Sequence, residues 1–180
     1  MPQGAIFLDR DDTIIQNDGD LGDPDAVVLV PDAIEALTRL HEAGWPLIVV
    51  TNQGGVARGC YGQEDVQAVH QRIQSLLEPT PILDWLWCPW HPQGTVPEWT
   101  REHPWRKPQP GMLLEAASRH ALDLHASWLI GDQPRDIEAA KAAGCRSVLL
   151  GEHDTLVEAD VIVSTLTEAV SHILHMHAHP

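Results

Sequence analysis

The sequence lacks the features that mark membrane and secreted proteins. None of its apolar runs approaches the roughly 20 residues that a membrane-spanning helix requires. Residues 1–4 carry neither the basic start nor the long apolar stretch of a secretion signal. We therefore expect a cytoplasmic protein that does not enter a membrane.

Cysteine and basic residues are also scarce. The three cysteines, Cys60, Cys88 and Cys145, form neither a C-x-x-C pair nor a disulfide framework, which favours a reducing compartment. Only 11 basic residues stand against 26 acidic ones, and the net charge is −15. This charge argues against nucleic acid and anionic membranes as partners. Any phosphate ligand would need a metal ion and a few well-placed cations.

The sequence alternates strand and helix patterns along its length. Apolar runs predict strands at 5–8, 46–50, 82–88, 127–130, 147–150 and 160–163, and amphipathic patterns predict helices at 32–44, 63–77, 112–122, 134–143 and from about 166. A capping box of Asp32 and Glu35 is expected to start the first helix. The alternation predicts one α/β domain over residues 1–180, a three-layer sandwich with a central parallel sheet. An irregular stretch rich in proline and tryptophan interrupts it at about 89–110.

Two carboxylates follow the first strand, at Asp9 and Asp11. If the extended backbone continues, both face one side and Arg10 points away. Neighbouring carboxylates are costly to ionise without a cation, and Mg²⁺ with oxygen ligands removes that cost. The alternative is an ordinary strand that meets an acidic turn.

Polar residues also follow two other predicted strands. Residues 51–55 read Thr-Asn-Gln-Gly-Gly, and Asp132 and Asp136 follow residues 127–130. Arg106 and Lys107 precede a helix. Each could be a plain turn, a helix cap or a solvated surface. Because ligands of parallel sheets bind beyond the carboxyl ends of the strands, their joint occurrence favours a phosphate site there.

These motifs resemble the haloacid dehalogenase superfamily of phosphohydrolases. The order is D-x-D-x-T at 9–13, a strand ending at Thr51, Lys107 before a helix, and G-D-x-x-x-D at 131–136. The strings at 7–11, 51–59 and 106–112 resemble the branch that holds D-glycero-D-manno-heptose 1,7-bisphosphate 7-phosphatase and histidinol-phosphate phosphatase. The resemblance implies the Rossmann-like fold of that superfamily. The short interval between Thr13 and Asp32 leaves no room for a large cap domain.

The resemblance also implies residue roles. Asp9 would be the nucleophile and Asp11 the general acid and base. Thr51 and Lys107 would stabilise the transferring phosphoryl group. Mg²⁺ would be held by Asp9, the Asp11 backbone carbonyl and Asp132. The expected substrate-binding residues are Asn52, Gln53, Gly54, Arg58 and Arg106. Asp136 would start a helix or lie behind the metal, and we favour the helix start.

The resemblance implies a monomeric phosphatase of a small phosphorylated metabolite. A heptose 1,7-bisphosphate, losing its 7-phosphate, is favoured over histidinol phosphate, because a second anionic group would use Arg58 and Arg106. A phosphate-binding protein without turnover is disfavoured, because every catalytic position is filled. A phosphotransferase is disfavoured by the missing cap.

The sequence departs from the family pattern twice. Asp12 stands where glycine is usual, and an added negative charge near a phosphate is unfavourable unless it points outward. The zinc-binding loop of this branch is also altered. Cys88 is kept, but Trp90 stands at the position of a histidine ligand, and His103 and Trp105 stand at the positions of two cysteine ligands. The adjacent His91 does not complete a set of four zinc ligands. We predict no zinc, and expect packing of Trp85, Trp87, Trp90, Trp99 and Trp105 to restrain the loop.

Two further features are predicted to have no site role. The histidines of the C-terminal segment, His172, His175, His177 and His179, suggest a metal tract, but an exposed tail is the favoured interpretation. Cys60 has no neighbouring base in the sequence, so we assign it no nucleophilic role.

Overall fold

The computed structural model describes residues 3–17, 19–151 and 158–178. Six strands form one sheet, in the order β3-β2-β1-β4-β5-β6, and every pair is parallel. The strands are β1 (Ile6–Leu8), β2 (Leu47–Asn52), β3 (Asp84–Cys88), β4 (Trp128–Gly131), β5 (Arg146–Leu150) and β6 (Val161–Val163). The predicted parallel sheet is confirmed.

Helices connect the strands and cover both faces of the sheet. They are α1 (Ala33–Glu42), α2 (Gly55–Arg58), α3 (Gln63–Leu77), α4 (Gly111–His120), α5 (Pro134–Ala143) and α6 (Leu166–Ala178). The short helix α2 begins at Gly55, the last residue of the Thr-Asn-Gln-Gly-Gly segment. Between Cys88 and Gly111 the only regular element is a single 3-10 turn, Pro97–Trp99. None of the helices in the described ranges is long and apolar enough to cross a membrane.

The two faces of the sheet have separate apolar cores. Ile6 and Leu8 of β1 point into a core that includes residues of α1, α3 and α6. Ala5 and Phe7 point into the opposite core, with residues of α4 and α5. This is the alternation expected of a strand buried on both faces. It confirms the three-layer sandwich.

The start of α1 differs from the prediction. The helix begins after Asp32, as expected, but the Asp32 side chain makes no capping hydrogen bond there. Its Oδ2 instead accepts a hydrogen bond from the Thr167 backbone N–H, at 2.7 Å. The predicted capping box is therefore wrong, because a contact with the start of α6 takes up the carboxylate.

Two of the three described histidines of α6, His175 and His177, are exposed, as the favoured interpretation predicts. The His177 ring lies 5.0 Å from the Trp45 ring, and the His172 ring lies 6.1 Å from the Trp128 ring, both edge to face. His179 lies outside the described residues. The exception is His172, which is half-buried, and the ring contacts give His172 and His177 a packing role.

Candidate active site

The carboxyl ends of β1, β2 and β4 bring three charged side chains together. The Lys107 ammonium lies 2.9 Å from Asp9 Oδ1 and 2.7 Å from Asp136 Oδ1. All three residues are almost fully buried. We call Asp9, Lys107 and Asp136 the floor of the site. The sequence predicted Asp9 and Lys107 there, and the structure brings them into direct contact.

Lys107 is held by both its backbone and its ammonium. Asn52 clamps the Lys107 backbone with two hydrogen bonds of 3.0 Å, one donated to the Lys107 carbonyl and one accepted from its N–H. The ammonium also donates to the Val50 carbonyl, at 2.8 Å. Burial lowers the pKa of Lys107, but the carboxylates of Asp136 and Asp9 outweigh it, and the net pKa is raised. Lys107 is thus a fixed cation at neutral pH.

The floor and Asp132 offer a set of oxygen ligands suited to a divalent ion. Carboxylate oxygens of Asp9, Asp132 and Asp136 lie within 4.8 Å of one another. Asp132 Oδ1 is buried, and no described residue hydrogen-bonds to it. Burial raises the pKa of Asp132 to about 6, and the charges of Asp9 and Asp136 add to the rise. A cation bound here would relieve that cost, and Mg²⁺ prefers such oxygen donors.

Asp136 makes two contacts, one at the start of a helix, as predicted, and one with Lys107. Its Oδ2 accepts a hydrogen bond from the Gln133 backbone N–H at the start of α5, as the helix-start interpretation predicts. Its Oδ1 pairs with Lys107, which that interpretation did not include. Gly131 permits the close fit, because a Cβ atom at that position would collide with the Asp136 carboxylate.

Arg10 contradicts the expectation that it points away from the site. Asp9 is followed by a bend, so the strand alternation does not continue through Arg10. The Arg10 side chain is fully buried, and its Nε donates to Asp11 Oδ1 at 3.0 Å and its Nη2 to Asp11 Oδ2 at 3.2 Å. Asp11 is therefore held by its own sequence neighbour, in a partly buried position at the edge of the site.

The Gln53 side chain is fully used within the protein. Its Nε2 donates to Asp11 Oδ2 and to Thr51 Oγ1, both at 2.9 Å. Its Oε1 accepts from Arg10 Nη2 at 2.9 Å and from the Tyr61 hydroxyl at 2.7 Å. Gln53 was predicted to bind substrate. The structure instead places its side chain as the link between Thr51 and Asp11.

A cleft of about 390 Å³ opens above Asp11. Arg58, Arg106 and Arg135 line it, and we call them the rim arginines. Arg58 pairs with Asp20 at 2.5 Å, and Arg106 donates to the Trp90 carbonyl at 3.3 Å. Asn52, Gly54 and Tyr61 also line the cleft. A Cβ atom on Gly54 would lie 3.1 Å from the Arg58 guanidinium and 3.4 Å from that of Arg106, so glycine leaves these side chains room.

Asp12 adopts a backbone conformation that explains the usual glycine. Its φ is 56°, in the left-handed region that glycine enters most easily. Aspartate tolerates this region better than most residues. The exposed Asp12 side chain accepts a hydrogen bond from the Asn17 N–H, at 2.9 Å. Its charge is thereby partly engaged in fixing the loop that follows the first motif.

Aromatic packing holds the irregular loop before Lys107. The His103 and Trp90 rings stack with centroids 3.7 Å apart, Trp99 lies 5.6 Å from Trp90, and the Arg101 guanidinium lies 4.9 Å above Trp90. Burial raises the pKa of the Cys88 thiol to about 11, which disfavours the thiolate that zinc binds. The expected tryptophan packing is confirmed for Trp90 and Trp99. The absence of zinc stays a prediction.

Sequence reasoning missed four residues near the site. Arg10 and Tyr61 join the hydrogen-bond network on Asp11, and Asp20 and Arg135 line the cleft. Arg135 lies in the G-D-x-x-x-D motif, so its position beside two aspartates was a usable signal. Asp20 and Tyr61 lie on loops, and their approach depends on tertiary packing that no local pattern encodes.

Comparison with known proteins agrees with this geometry. Residues 104–169 match the HAD-hydrolase-like family model. D-glycero-beta-D-manno-heptose-1,7-bisphosphate 7-phosphatase of Mesorhizobium japonicum is 40% identical over 167 residues, covering 92% of this chain and 77% of the relative. The D-glycero-D-manno-heptose-1,7-bisphosphate 7-phosphatase of Thermosynechococcus vestitus is 36% identical, covering 96% of each chain.

A solved structure shares the whole fold. The D,D-heptose 1,7-bisphosphate phosphatase of B. bronchiseptica, crystallised with magnesium and phosphate, superposes with a TM-score of 0.86 at 28% identity. The match covers 97% of this chain and 99% of that one. Together with the buried aspartate–lysine floor, these relatives show that the chain belongs to the haloacid dehalogenase superfamily of phosphatases, in the family of heptose 1,7-bisphosphate 7-phosphatases.

Proposed function

We propose that this protein is a Mg²⁺-dependent phosphatase that removes the 7-phosphate of D-glycero-D-manno-heptose 1,7-bisphosphate. One observation carries the proposal: Asn52 holds Lys107 of the buried aspartate–lysine floor and also lines a cleft that contains three arginines, in a chain whose net charge is −15. The floor suits a transferring phosphoryl group, and the rim arginines suit a second anionic group. The names of the relatives point to the same substrate.

The floor supports nucleophilic catalysis by Asp9. Asp9 Oδ1 accepts from Lys107 and from the Arg10 backbone N–H, at 2.9 and 2.7 Å. Within the described ranges no hydrogen bond engages Oδ2, which leaves that oxygen for attack on phosphorus. Transfer to Asp9 would give an aspartyl-phosphate and divide the hydrolysis into two easier steps. Lys107 would offset charge on the phosphoryl oxygens, and Thr51 would contribute its hydroxyl.

Asp9 and Asp132, with the Asp11 backbone carbonyl, would hold Mg²⁺. When bound, the ion would neutralise charge on the phosphoryl oxygens and on the carboxylates. Asp136 already pairs with Lys107 and caps α5, so its place is behind these ligands. The unpartnered Asp132 Oδ1 supports this assignment.

The rim arginines support a bisphosphate over a monophosphate. Burial lowers the pKa of Arg106, and the nearby charges of Arg135 and Arg58 lower it further. Carboxylates also line the cleft, and Arg58 is already paired with Asp20, so a further anion would bind at Arg106 and Arg135 or replace Asp20 at Arg58. A heptose that carries a 1-phosphate would provide that anion once its 7-phosphate reached the floor.

The proposed enzyme works as a cytoplasmic monomer on this small phosphorylated sugar. The three cysteines are free thiols, and Cys88 and Cys145 are buried, which suits a reducing compartment.

Phosphate release from matched substrates tests the proposal. We expect the heptose 1,7-bisphosphate to be hydrolysed only at position 7, with a kcat/KM well above those of heptose 7-phosphate and histidinol phosphate. EDTA should stop the reaction, and Mg²⁺ should restore it. Equal or faster turnover of histidinol phosphate would make the heptose assignment wrong. Phosphate binding without turnover of any of the three would contradict the enzyme assignment.

A further inference from the structure

Arg10 is the most deeply buried arginine near the site, and its surroundings are unusual. None of its surface is exposed. Within the described ranges its one carboxylate partner is Asp11, which it contacts through both Nε and Nη2. Burying a guanidinium is expensive unless its partner and hydrogen bonds are well placed. Replacing a buried ion pair by apolar residues is often neutral or stabilising, so the buried charge of Arg10 suggests a role other than stability.

Hydrogen bonds from Gln53 and Tyr61 fix this pair. Gln53 accepts from Arg10 Nη2 and donates to the same Asp11 oxygen that Nη2 contacts. Tyr61 donates to Gln53 Oε1 at 2.7 Å, which determines how the amide is oriented. With its oxygen taken by two donors, the Gln53 amide must present its N–H groups to Asp11 and Thr51. Arg10, Gln53 and Tyr61 thus form a continuous support beneath the Asp11 carboxylate.

The support leaves Asp11 facing the cleft. The Asp11 side chain is 23% exposed and lines the cleft, whereas Arg10 approaches it from the buried side. Three donor groups, two of Arg10 and one of Gln53, restrict the rotation of this carboxylate and leave its remaining lone pairs toward the ligand. Charge-assisted bonds of this kind are stronger and more directional than neutral ones.

We propose that Arg10, oriented by Gln53 and Tyr61, is a positioning residue that holds Asp11 for proton transfer to the leaving group. The inference rests on the proposed phosphatase function and adds a residue that the floor chemistry does not require. The Arg10 backbone N–H contacts Asp9. The guanidinium contacts Asp11 and Gln53, and Arg10 does not line the cleft, so its side chain acts through Asp11.

The proton balance shows where such positioning would matter. In the first step Asp9 forms a bond to phosphorus as the bond from phosphorus to the sugar oxygen breaks, and the Asp11 carboxyl gives its proton to that oxygen. In the second step a water oxygen bonds to phosphorus as the Asp9–phosphorus bond breaks. The Asp11 carboxylate then takes the proton that the water loses. A misplaced Asp11 slows the first step most when the departing oxygen is strongly basic.

Leaving-group dependence separates this role from a structural one. Phenyl phosphate and 4-nitrophenyl phosphate have similar shapes, but 4-nitrophenolate departs without needing a proton and phenolate is more basic. The parameter kcat/KM reports only the steps up to departure of the leaving group. A general loss of site structure would lower kcat/KM for both compounds by the same factor.

The experiment compares wild type with Arg10→Met, Arg10→Lys and Tyr61→Phe. We expect Arg10→Met to lower kcat/KM about 100-fold for heptose bisphosphate and phenyl phosphate, but less than about 10-fold for 4-nitrophenyl phosphate. Arg10→Lys, which keeps the charge and loses the fork, should fall between. Tyr61→Phe should shift the ratio of the two aryl substrates in the same direction by about 2- to 5-fold, as expected for one outer hydrogen bond. Arg72→Met, on the exposed surface of α3, is the matched control and should change nothing.

The outcomes are distinct from those of the function test. Equal losses for the two aryl phosphates in Arg10→Lys and Tyr61→Phe would overturn the positioning role, even if Arg10→Met does not fold. The positioning role would also be overturned if the ratio of kcat/KM for the two aryl phosphates stayed at the wild-type value in all three variants. A wild-type protein inert toward both the aryl phosphates and heptose bisphosphate would overturn the phosphatase assignment itself.

Discussion

The floor and the rim of the site use charge in opposite ways. Lys107 is fully buried, contacts two carboxylates at 2.7 and 2.9 Å and is clamped through its backbone by Asn52. Arg58 is 39% exposed at the rim, where solvent screens its pair with Asp20. Interactions between charges are much stronger in a buried environment than at a surface. The floor is therefore suited to a fixed reaction, and the rim to tunable selection among substrates.

The largest effect is expected from a change in the floor. Asp9→Asn should abolish turnover, because it removes both the nucleophile and a negative charge that the metal would use. The fold should persist, since Lys107 keeps its contacts with Asp136 and Val50. Phosphate release and circular dichroism on one sample check both statements.

Asp25→Asn provides the control for this experiment. Asp25 is exposed and lies outside the cleft, so its amide variant should retain wild-type turnover. Phosphate release at the wild-type rate in Asp9→Asn would show that another group attacks phosphorus. The floor would then not be the part of the site that carries out the reaction.

Part of the site could be predicted from sequence because several of its residues follow strand ends. Asp9, Thr51 and Asp132 directly terminate apolar runs, and the topology of a parallel sheet brings such ends together. The same reasoning yielded the strand and helix pattern and the order of layers. Lys107 lies at the end of an irregular loop and was identified only by its resemblance to the family motif.

The residues that could not be predicted depend on departures from regular geometry. Arg10 was expected to point away because strand alternation was extended one residue too far, past the bend that follows Asp9. Asp32 was expected to cap α1, but the start of α6 takes its carboxylate. The Asp20–Arg58 pair joins a loop residue to the last residue of α2, 38 positions away, and such an approach is set by tertiary packing alone.

A change in the rim should have an intermediate effect and should depend on the substrate. Arg106→Ala is expected to weaken transition-state binding of heptose 1,7-bisphosphate by about 1–3 kcal/mol, the range for a lost charged hydrogen bond. Heptose 7-phosphate, which lacks the second anionic group, should be affected less. The measurement is kcat/KM for both compounds with one preparation of each protein.

Arg101→Ala is the matched control for the rim. Arg101 belongs to the same irregular loop and lies over Trp90, but it does not line the cleft. Its truncation should leave the ratio of the two substrates unchanged. If Arg106→Ala lowered kcat/KM equally for both substrates, Arg106 would act on the reacting phosphate, as the floor does, and not on the second anionic group.

The smallest effect is expected from Asp20, and its sign is the informative part. In the free protein Asp20 occupies Arg58 at 2.5 Å, so a second phosphate must compete with this carboxylate for the guanidinium. Both side chains are about one-third exposed, and ion pairs of that kind contribute about 0–1 kcal/mol. Asp20→Asn keeps the shape and removes the charge, and should therefore lower KM for heptose 1,7-bisphosphate by about 2- to 5-fold with little change in kcat. KM for heptose 7-phosphate should stay constant, and added salt should reduce the difference between variant and wild type, because salt screens exposed charges.

A raised KM for the bisphosphate would mean that Asp20 orients Arg58 for the substrate instead of competing for it, and the rim would then be preorganised in the way that the floor is.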